Sequence, residues 1–493
     1  VVLAWLAVGI TWAASIGRYG GPDEPAHVLR AYAVAHGDVD GDRVSDLPSG
    51  YRGVTVPRTL GTGDPTCYRH DATLPSTCSV PTPPHEGTVY VATSAGVAPP
   101  LYYALVGLPA RVLGVADDPL AYRFVALAWV AVVLAFAAVR ARALGRAALT
   151  MLVLVPPSAW FLLGVVNPNS LEIALCALAW VGVARVRRSG TTTAADIAWI
   201  GVPLGVAVAM RPIALVAAVA VVSVLVVDPR TRPTWRGAAL LAMPAVIGGV
   251  SVLAWQRVIG WDGTDPRTAV TGSLWRALRD SVGGLGRTAG ELIGTTGWLE
   301  VSLPVPVKVA WLALLAAVLA RTRAARSVRV RARTAATARA ERGAWAVWGL
   351  VLVGTPVAFE TVFSSSIGPI WQGRYSVPVF IGLGALVASR GGTRWRDLRL
   401  LVVAALAVEC ASFVVTVRRY SVGIGGSWWL HDAAPTSRWL TPQAWVLVHL
   451  AVVTAIGVWL WRLGQPRPSE HVAEHVDDDV GVARVVEHGE LPG

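Results

Sequence analysis

Charge is scarce in this sequence. Asp, Glu, Lys and Arg make up 15% of 493 residues while 54% are hydrophobic, against roughly 25% charged in an ordinary soluble domain. With a mean hydropathy of +0.53, that deficit excludes a soluble globular enzyme and a fibrous or disordered chain. Residue-by-residue alternation is missing too, which excludes a β-barrel, whose strands alternate apolar and polar positions. No Walker loop, zinc motif or Gly-x-Ser-x-Gly elbow occurs, which argues against nucleotide hydrolysis and serine-hydrolase chemistry. The net charge is +12 and Lys308 is the single lysine among 43 basic residues. No soluble module with a basic face accompanies that charge, so nucleic acid is not a partner. Internal repeats of the kind that build many transporters are absent.

What is present is a succession of apolar runs. They fall near 1–16, 119–140, 147–166, 170–186, 194–210, 213–228, 237–256, 306–320, 344–363, 375–389, 399–417 and 443–462. At about twenty residues per span, they predict an all-α polytopic membrane protein with about 12 transmembrane helices. A further candidate, 97–114, is broken by Pro99, Pro100, Pro109 and Arg111. If it does not cross, Arg140/Arg142/Arg146, Arg185/Arg187/Arg188, Arg230/Arg232/Arg236, the Arg321 to Arg342 run and Arg390 to Arg399 share one side. That is the positive-inside pattern. We read 97–114 as re-entrant or juxtamembrane and both termini as cytoplasmic. The chain opens Val1-Val2, and its first run covers only about 24 Å as a helix, so upstream sequence is expected.

The transmembrane domain is then 1–463. It carries a large first extracytoplasmic loop (17–118), a turn at Asn167–Ser170, a second large outer loop (257–305), a turn at Ser364–Arg374 and an outer segment at 418–442. Most of the 22 tryptophans read as headgroup-level anchors. Residues 464–493, with Asp477-Asp478-Asp479, read as a disordered cytoplasmic tail. Cys176 and Cys410 lie in apolar runs as packing residues. Cys67 and Cys78 share the first outer loop, where a disulfide is favoured over free thiols; a metal site with His70 and His85 is the weaker alternative.

The sharpest local signal is Gly21-Pro22-Asp23-Glu24-Pro25-Ala26-His27, just after the first span. Pro25 suits a first helical turn. Val28, Ala31, Tyr32 and Ala35 follow on one face, with His27 and Arg30 elsewhere. The spacing predicts an amphipathic helix along the membrane surface. Asp23 and Glu24 stand at its amino end, where a carboxylate caps a helix or waits at the lipid–water boundary as a general base or metal ligand. Arg374, in Gln372-Gly373-Arg374-Tyr375, and Arg211, in Met210-Arg211-Pro212, sit at outer ends of spans. A guanidinium there either snorkels or binds phosphate. Glu360, Glu409 and His449 lie inside predicted spans, where polar groups need a cavity or a partner. Glu300 reads as an acceptor-site candidate or a surface carboxylate.

Four segments in register carry a resemblance. Pro22-Asp23-Glu24-Pro25-Ala26-His27 with Arg30-Ala31-Tyr32, Pro99-Pro100-Leu101-Tyr102-Tyr103, Asn167-Pro168-Asn169-Ser170 and Gln372-Gly373-Arg374-Tyr375 with Pro378 resemble the motifs of a bacterial membrane family, domain of unknown function 2142. That family is grouped with the GT-C glycosyltransferases. The resemblance spans roughly 1–420 and implies a GT-C-like fold in a bacterial plasma membrane with an extracytoplasmic active face. It implies transfer of a sugar from a polyprenyl-phosphate donor to an envelope glycan or protein acceptor, with membrane lipids as further partners. Asp23 takes the role of base or metal ligand, with Glu24 beside it as the second catalytic candidate. His27, Arg30, Arg211, Asn167, Asn169, Gln372, Arg374 and Tyr375 are the substrate-binding candidates. Many GT-C enzymes carry a second acid where this chain has Asn167 and Asn169; an amide can bind a metal or a sugar but cannot be a base. A divalent cation as cofactor therefore stays open, with Glu172 as a compensating acid. Two alternatives remain: a transporter or flippase of lipid-linked glycans, and a non-catalytic subunit that binds lipid-linked sugar.

Overall fold

The computed structural model describes residues 2–62, 67–69, 71–79, 86–261, 273–329, 335–390, 395–431, 433 and 436–463. His70, His85 and the acidic tail lie outside them. Helix α1 (Val2–Ser15) leads into α2 (Glu24–Ala35), the short α3 (Arg58–Gly61) and α4 (Pro100–Val112). Strands β1 (Asp42–Arg43), β2 (Arg52–Pro57) and β3 (Thr88–Thr93) form an antiparallel sheet in that order. Next come α5 (Pro119–Ala141), α6 (Leu149–Val153), α7 (Pro157–Leu163), α8 (Pro168–Ser189), α9 (Ala194–Met210), α10 (Leu215–Val227) and α11 (Trp235–Ile259). Two short helices, α12 (Leu274–Gly283) and α13 (Leu285–Gly294), precede a small hairpin of β4 (Thr295–Thr296) and β5 (Val301–Ser302). The chain continues through α14 (Val305–Arg329), α15 (Ala335–Ile367), α16 (Gly373–Phe380), α17 (Gly382–Ala388), α18 (Trp395–Val422) and α19 (Pro442–Leu463).

Among the described residues, six helical stretches are long and apolar enough to cross a membrane: Pro119–Val153, Pro168–Ser189, Trp235–Ile259, Ala338–Ser366, Leu398–Val422 and Pro442–Arg462. Leu3–Ser15, Ala194–Met210, Pro212–Val227 and Gly373–Ala388 are shorter apolar helices. The expected span over 147–166 does not form one helix. The chain turns at Gly145 (φ 54°, ψ −140°), and Pro156-Pro157 separates α6 from α7. A proline lacks the amide hydrogen and clashes with the preceding turn. Residues 97–114 give α4, at thirteen residues too short to span; its buried Tyr102, Tyr103, Val106 and Ala110 pack toward α2 and α5. Helix α8 lies at the centre, buried along nearly its whole length.

Helix α2 forms where its pattern predicts, with Pro25 in its first turn. It is not half-exposed as an amphipathic surface helix would be: α4 and the sheet cover it, and Arg30 is buried with the apolar residues. Cys67 and Cys78 are bonded across eleven residues, with Cα atoms 6.2 Å apart. Arg419, near the end of α18, holds that loop by donating to the carbonyls of Tyr68 (2.7 Å) and Leu74 (2.6 Å). Glu300 pairs with the same arginine at 3.2 Å; burial pushes its carboxyl up to about 7 against the pull of Arg419. The carboxylates inside the bundle are partnered: Glu360 accepts from the Trp371 amide, and Glu409 binds Trp12 and His449. Closing an eleven-residue loop is worth about 3 kcal/mol in the chain-entropy model. Cys67→Ser with Cys78→Ser should therefore lower the unfolding midpoint in detergent, and dithiothreitol should do the same to the wild type but not to the double variant.

Candidate active site

Two acids stand at the start of α2, and the structure sends them in different directions. Asp23 takes the N-cap position at φ 59°, ψ 11°, a left-handed conformation that Asp tolerates better than most residues. Its side chain makes no capping bond, so helix capping does not account for it. Oδ2 instead accepts from Arg374 Nη2 at 2.8 Å. The Asp23 side chain is 47% exposed and that of Arg374 6%, so one ion of the pair meets solvent while the other lies beneath it. Two glycines permit the approach. A Cβ on Gly21 would lie 2.7 Å from the Val165 side chain, and one on Gly373 would lie 2.2 Å from the Leu292 amide.

Glu24 turns into the protein. Its Oε1 accepts from Arg123 Nε (2.7 Å) and the Val166 amide (3.0 Å). Its Oε2 accepts from Arg123 Nη2 (2.7 Å) and the Gly21 amide (2.9 Å). Arg123 also donates to the carbonyls of Ala13, Ile16 and Gly17 at 2.8–2.9 Å, so all five of its N–H groups are used. Glu24 thus has a full set of partners and is not in the cleft with Asp23. Arg123 escapes a motif search; its signal is an arginine inside the apolar run 119–140.

Around Asp23 the chain gathers residues from distant segments. The guanidinium carbons of Arg374 and Arg211 lie 5.3 and 4.5 Å from the Tyr375 ring centroid. Arg211 donates to Glu172 Oε2 at 3.0 Å, and Asn169 Nδ2 reaches the same oxygen at 3.4 Å. Asn167 is structural: its Oδ1 caps α8 on the Asn169 amide and its Nδ2 donates to the Pro22 carbonyl at 2.9 Å. His27 Nδ1 meets the Tyr103 hydroxyl at 3.0 Å, which gives the Tyr102-Tyr103 motif a role the sequence left unassigned. Arg30 stands apart from the pair, near Tyr103 and Trp255, with one bond to the Ala98 carbonyl at 3.3 Å. Several polar atoms here are buried without a partner among the described residues: Nε and Nη1 of Arg374, Oδ1 of Asn169, Oε1 of Glu172 and Oε1 of Gln372. Leaving such atoms unsatisfied is costly, and a polar ligand would satisfy them.

Burial pushes the Asp23 carboxyl up, but Arg374, His27 and Arg211 outweigh it and hold it below the usual carboxylate range. Burial lowers His27 to about 4; Asp23 opposes this, and Arg374 and Arg211 add to it. At neutral pH the cleft therefore presents an anionic Asp23, a neutral His27 and two guanidinium groups.

The family model described as "Predicted membrane protein (DUF2142)" matches residues 6–383. The chain belongs to that family. The match takes in Asp23, Asn167, Arg211 and Arg374, so the cleft of this DUF2142 protein lies wholly inside the family region. Among solved structures, the chain is similar to ArnT from Cupriavidus metallidurans bound to undecaprenyl phosphate, with 15% identity and a TM-score of 0.44 over 94% of this chain and 76% of that one. No curated protein matches the chain.

Two predictions separate the acids and test the histidine. Removing one partner of a buried, fully bonded ion pair costs about 3–5 kcal/mol, so Glu24→Ala should severely destabilise the protein in detergent. Asp23→Asn should cost less, because its side chain is 47% exposed and Asn keeps an oxygen that can accept from Arg374. His27 has its folded pKa lowered from 6.5 to about 4, so between those values the unfolded chain binds more protons and stability falls as pH falls. Chemical denaturation at pH 7 and pH 5 should show that loss, and His27→Gln should reduce it.

Proposed function

We propose that this protein is a membrane glycosyltransferase that moves a sugar from a polyprenyl-phosphate donor to an acceptor hydroxyl of the cell envelope, at the extracytoplasmic face of a bacterial plasma membrane. On this reading the chain crosses about twelve times with both termini inside. The observation that carries the reading is the Asp23–Arg374 pair: a half-exposed carboxylate bonded to a buried guanidinium whose Nε and Nη1 have no partner. The three N–H groups on those nitrogens can donate to phosphate oxygens of a donor. Asn169 Oδ1 and Glu172 Oε1, buried and unpartnered, suit sugar hydroxyls.

In the reaction, donor phosphate engages Arg374 and draws it from Asp23. The acceptor oxygen attacks the anomeric carbon and its proton passes to Asp23 Oδ2. The bond from anomeric carbon to phosphate oxygen breaks, and polyprenyl phosphate leaves with the electron pair, its growing charge held by Arg374 and Arg211. The groups around Asp23 do not fit a divalent cation. Among the described residues they are two arginines and a neutral histidine, while Glu24 is committed to Arg123 and Glu172 holds one of its oxygens on Arg211. Among the described residues, the grouping whose spacing could hold an ion, Glu409 with Cys410 and His449, lies elsewhere.

A deletion strain complemented with wild type, Asp23→Asn or Arg374→Ala tests this through mass spectrometry of envelope glycans and polyprenyl-linked sugars. The expected outcome is one missing sugar, accumulation of its lipid-linked donor and no rescue by either variant. Full rescue by Asp23→Asn would remove Asp23 as base and favour a binding subunit; a build-up of whole lipid-linked glycans would favour a flippase. With the sugar known, pH profiles follow. The lowered pKa of free Asp23 puts the acid limb of kcat/KM below the usual carboxylate range. The limb of kcat should lie higher, because bound phosphate takes Arg374 away; equal limbs near neutrality would point to another base.

A further inference from the structure

A second site lies at the opposite end of the bundle. A cavity of about 400 Å³ opens between α1, α5, α6, α7, α8 and α19, a volume typical of a ligand site. It meets α5 from Leu134 onward, eleven residues or about 16 Å beyond Arg123 along that helix. Its wall is alanine, aliphatic and tryptophan side chains, among them Ala137, Ala174, Ala177 and the stacked pair Trp5–Trp160, whose ring centroids are 4.2 Å apart. Its mouth holds Arg142 and Arg146, both exposed, on the kinked segment that Gly145 turns away from the axis of α5. That end of the bundle is rich in arginine, with Arg185, Arg188 and Arg462 at the carboxyl ends of α8 and α19.

An apolar wall within helices of spanning length favours an acyl chain over water, and two guanidinium groups at its rim favour an anion. Basic pockets between transmembrane helices on the cytoplasmic side bind anionic lipid headgroups. We propose that this cavity is a binding site for an anionic glycerophospholipid, with one acyl chain in the chamber and the phosphate at Arg142 and Arg146. The site is separate from the cleft at Asp23 and does not depend on the transferase reading. The deep end of the chamber is lined by Leu163 of α7, three residues before Val166, whose amide binds Glu24.

The test uses the full chain in detergent, titrated with phosphatidylglycerol or phosphatidylcholine carrying brominated acyl chains, reading tryptophan fluorescence. The Trp5→Phe, Trp160→Phe variant isolates the signal of the chamber. Phosphatidylglycerol should quench that signal at roughly 30-fold lower concentration than phosphatidylcholine, the ratio expected of two arginines near one anionic headgroup. Arg142→Gln with Arg146→Gln, both at exposed positions, should abolish the preference while phosphatidylcholine still quenches. Ala177→Leu should weaken quenching by both lipids. Equal quenching by the two lipids, or a preference that survives the arginine substitutions, would overturn the proposal. So would tighter displacement by undecaprenyl phosphate, which would make the chamber a pocket for a donor's tail.

Discussion

The buried pair of Glu24 and Arg123 is the constraint on which the cleft depends. Desolvating two ions is expensive, and such a pair holds only when every donor and acceptor is satisfied. Here the guanidinium spends all five N–H groups and the carboxylate accepts four bonds. The partners come from the end of α1, the loop before α2, helix α5 and the turn before α8. One interaction thus fixes four segments at a point and sets the direction of the backbone at Gly21–Glu24. Asp23, with its left-handed backbone, is the residue that this anchoring leaves facing the cleft.

The field in that cleft has one dominant sign. Two guanidinium groups flank Tyr375 while the nearby acids Glu24 and Glu172 are bonded to arginines of their own. Such an arrangement keeps Asp23 ionised and His27 neutral, and it suits an anion better than a cation. Arg374 has a double part: it lowers the basicity of Asp23 in the free protein, and a phosphate that takes it over would release that basicity. On the proposed reading, binding of the donor and activation of the base are a single event. No second carboxylate is then needed, and asparagines at 167 and 169 are compatible with the chemistry. Asn167 serves as the cap of α8 and the clamp on Pro22, and Asn169 offers a buried oxygen.

The two ends of the bundle differ in kind. One end carries the sheet, the disulfide loop pinned by Arg419 and the acid–arginine cleft. The other carries several arginines and an apolar chamber that opens at the break between α5 and α7. The Gly145 turn and the Pro156-Pro157 break create both the mouth of the chamber and the short helix that leads back up to the residues holding Glu24.

Much of this was legible from residue order alone. Long apolar runs dictate helices because in lipid each backbone amide must bond within its own segment. Pro25 and the pattern after it dictate α2, and two cysteines in one loop favour the pairing that the structure shows. The polar motifs identify residues that meet, although Asp23 and Arg374 are 351 positions apart. Other features needed the tertiary structure. Hydropathy reads 147–166 as one span because an average over side chains ignores the missing amide hydrogen of proline. The periodicity of α2 predicts one buried face, but α4 and the sheet supply partners for others and enclose Arg30. Above all, Asp23 and Glu24 carry the same chemical group on adjacent residues. Local sequence gives each the same claim to the cleft; only the position of Arg123, almost a hundred residues away, decides which carboxylate is bound inside and which is left facing the cleft.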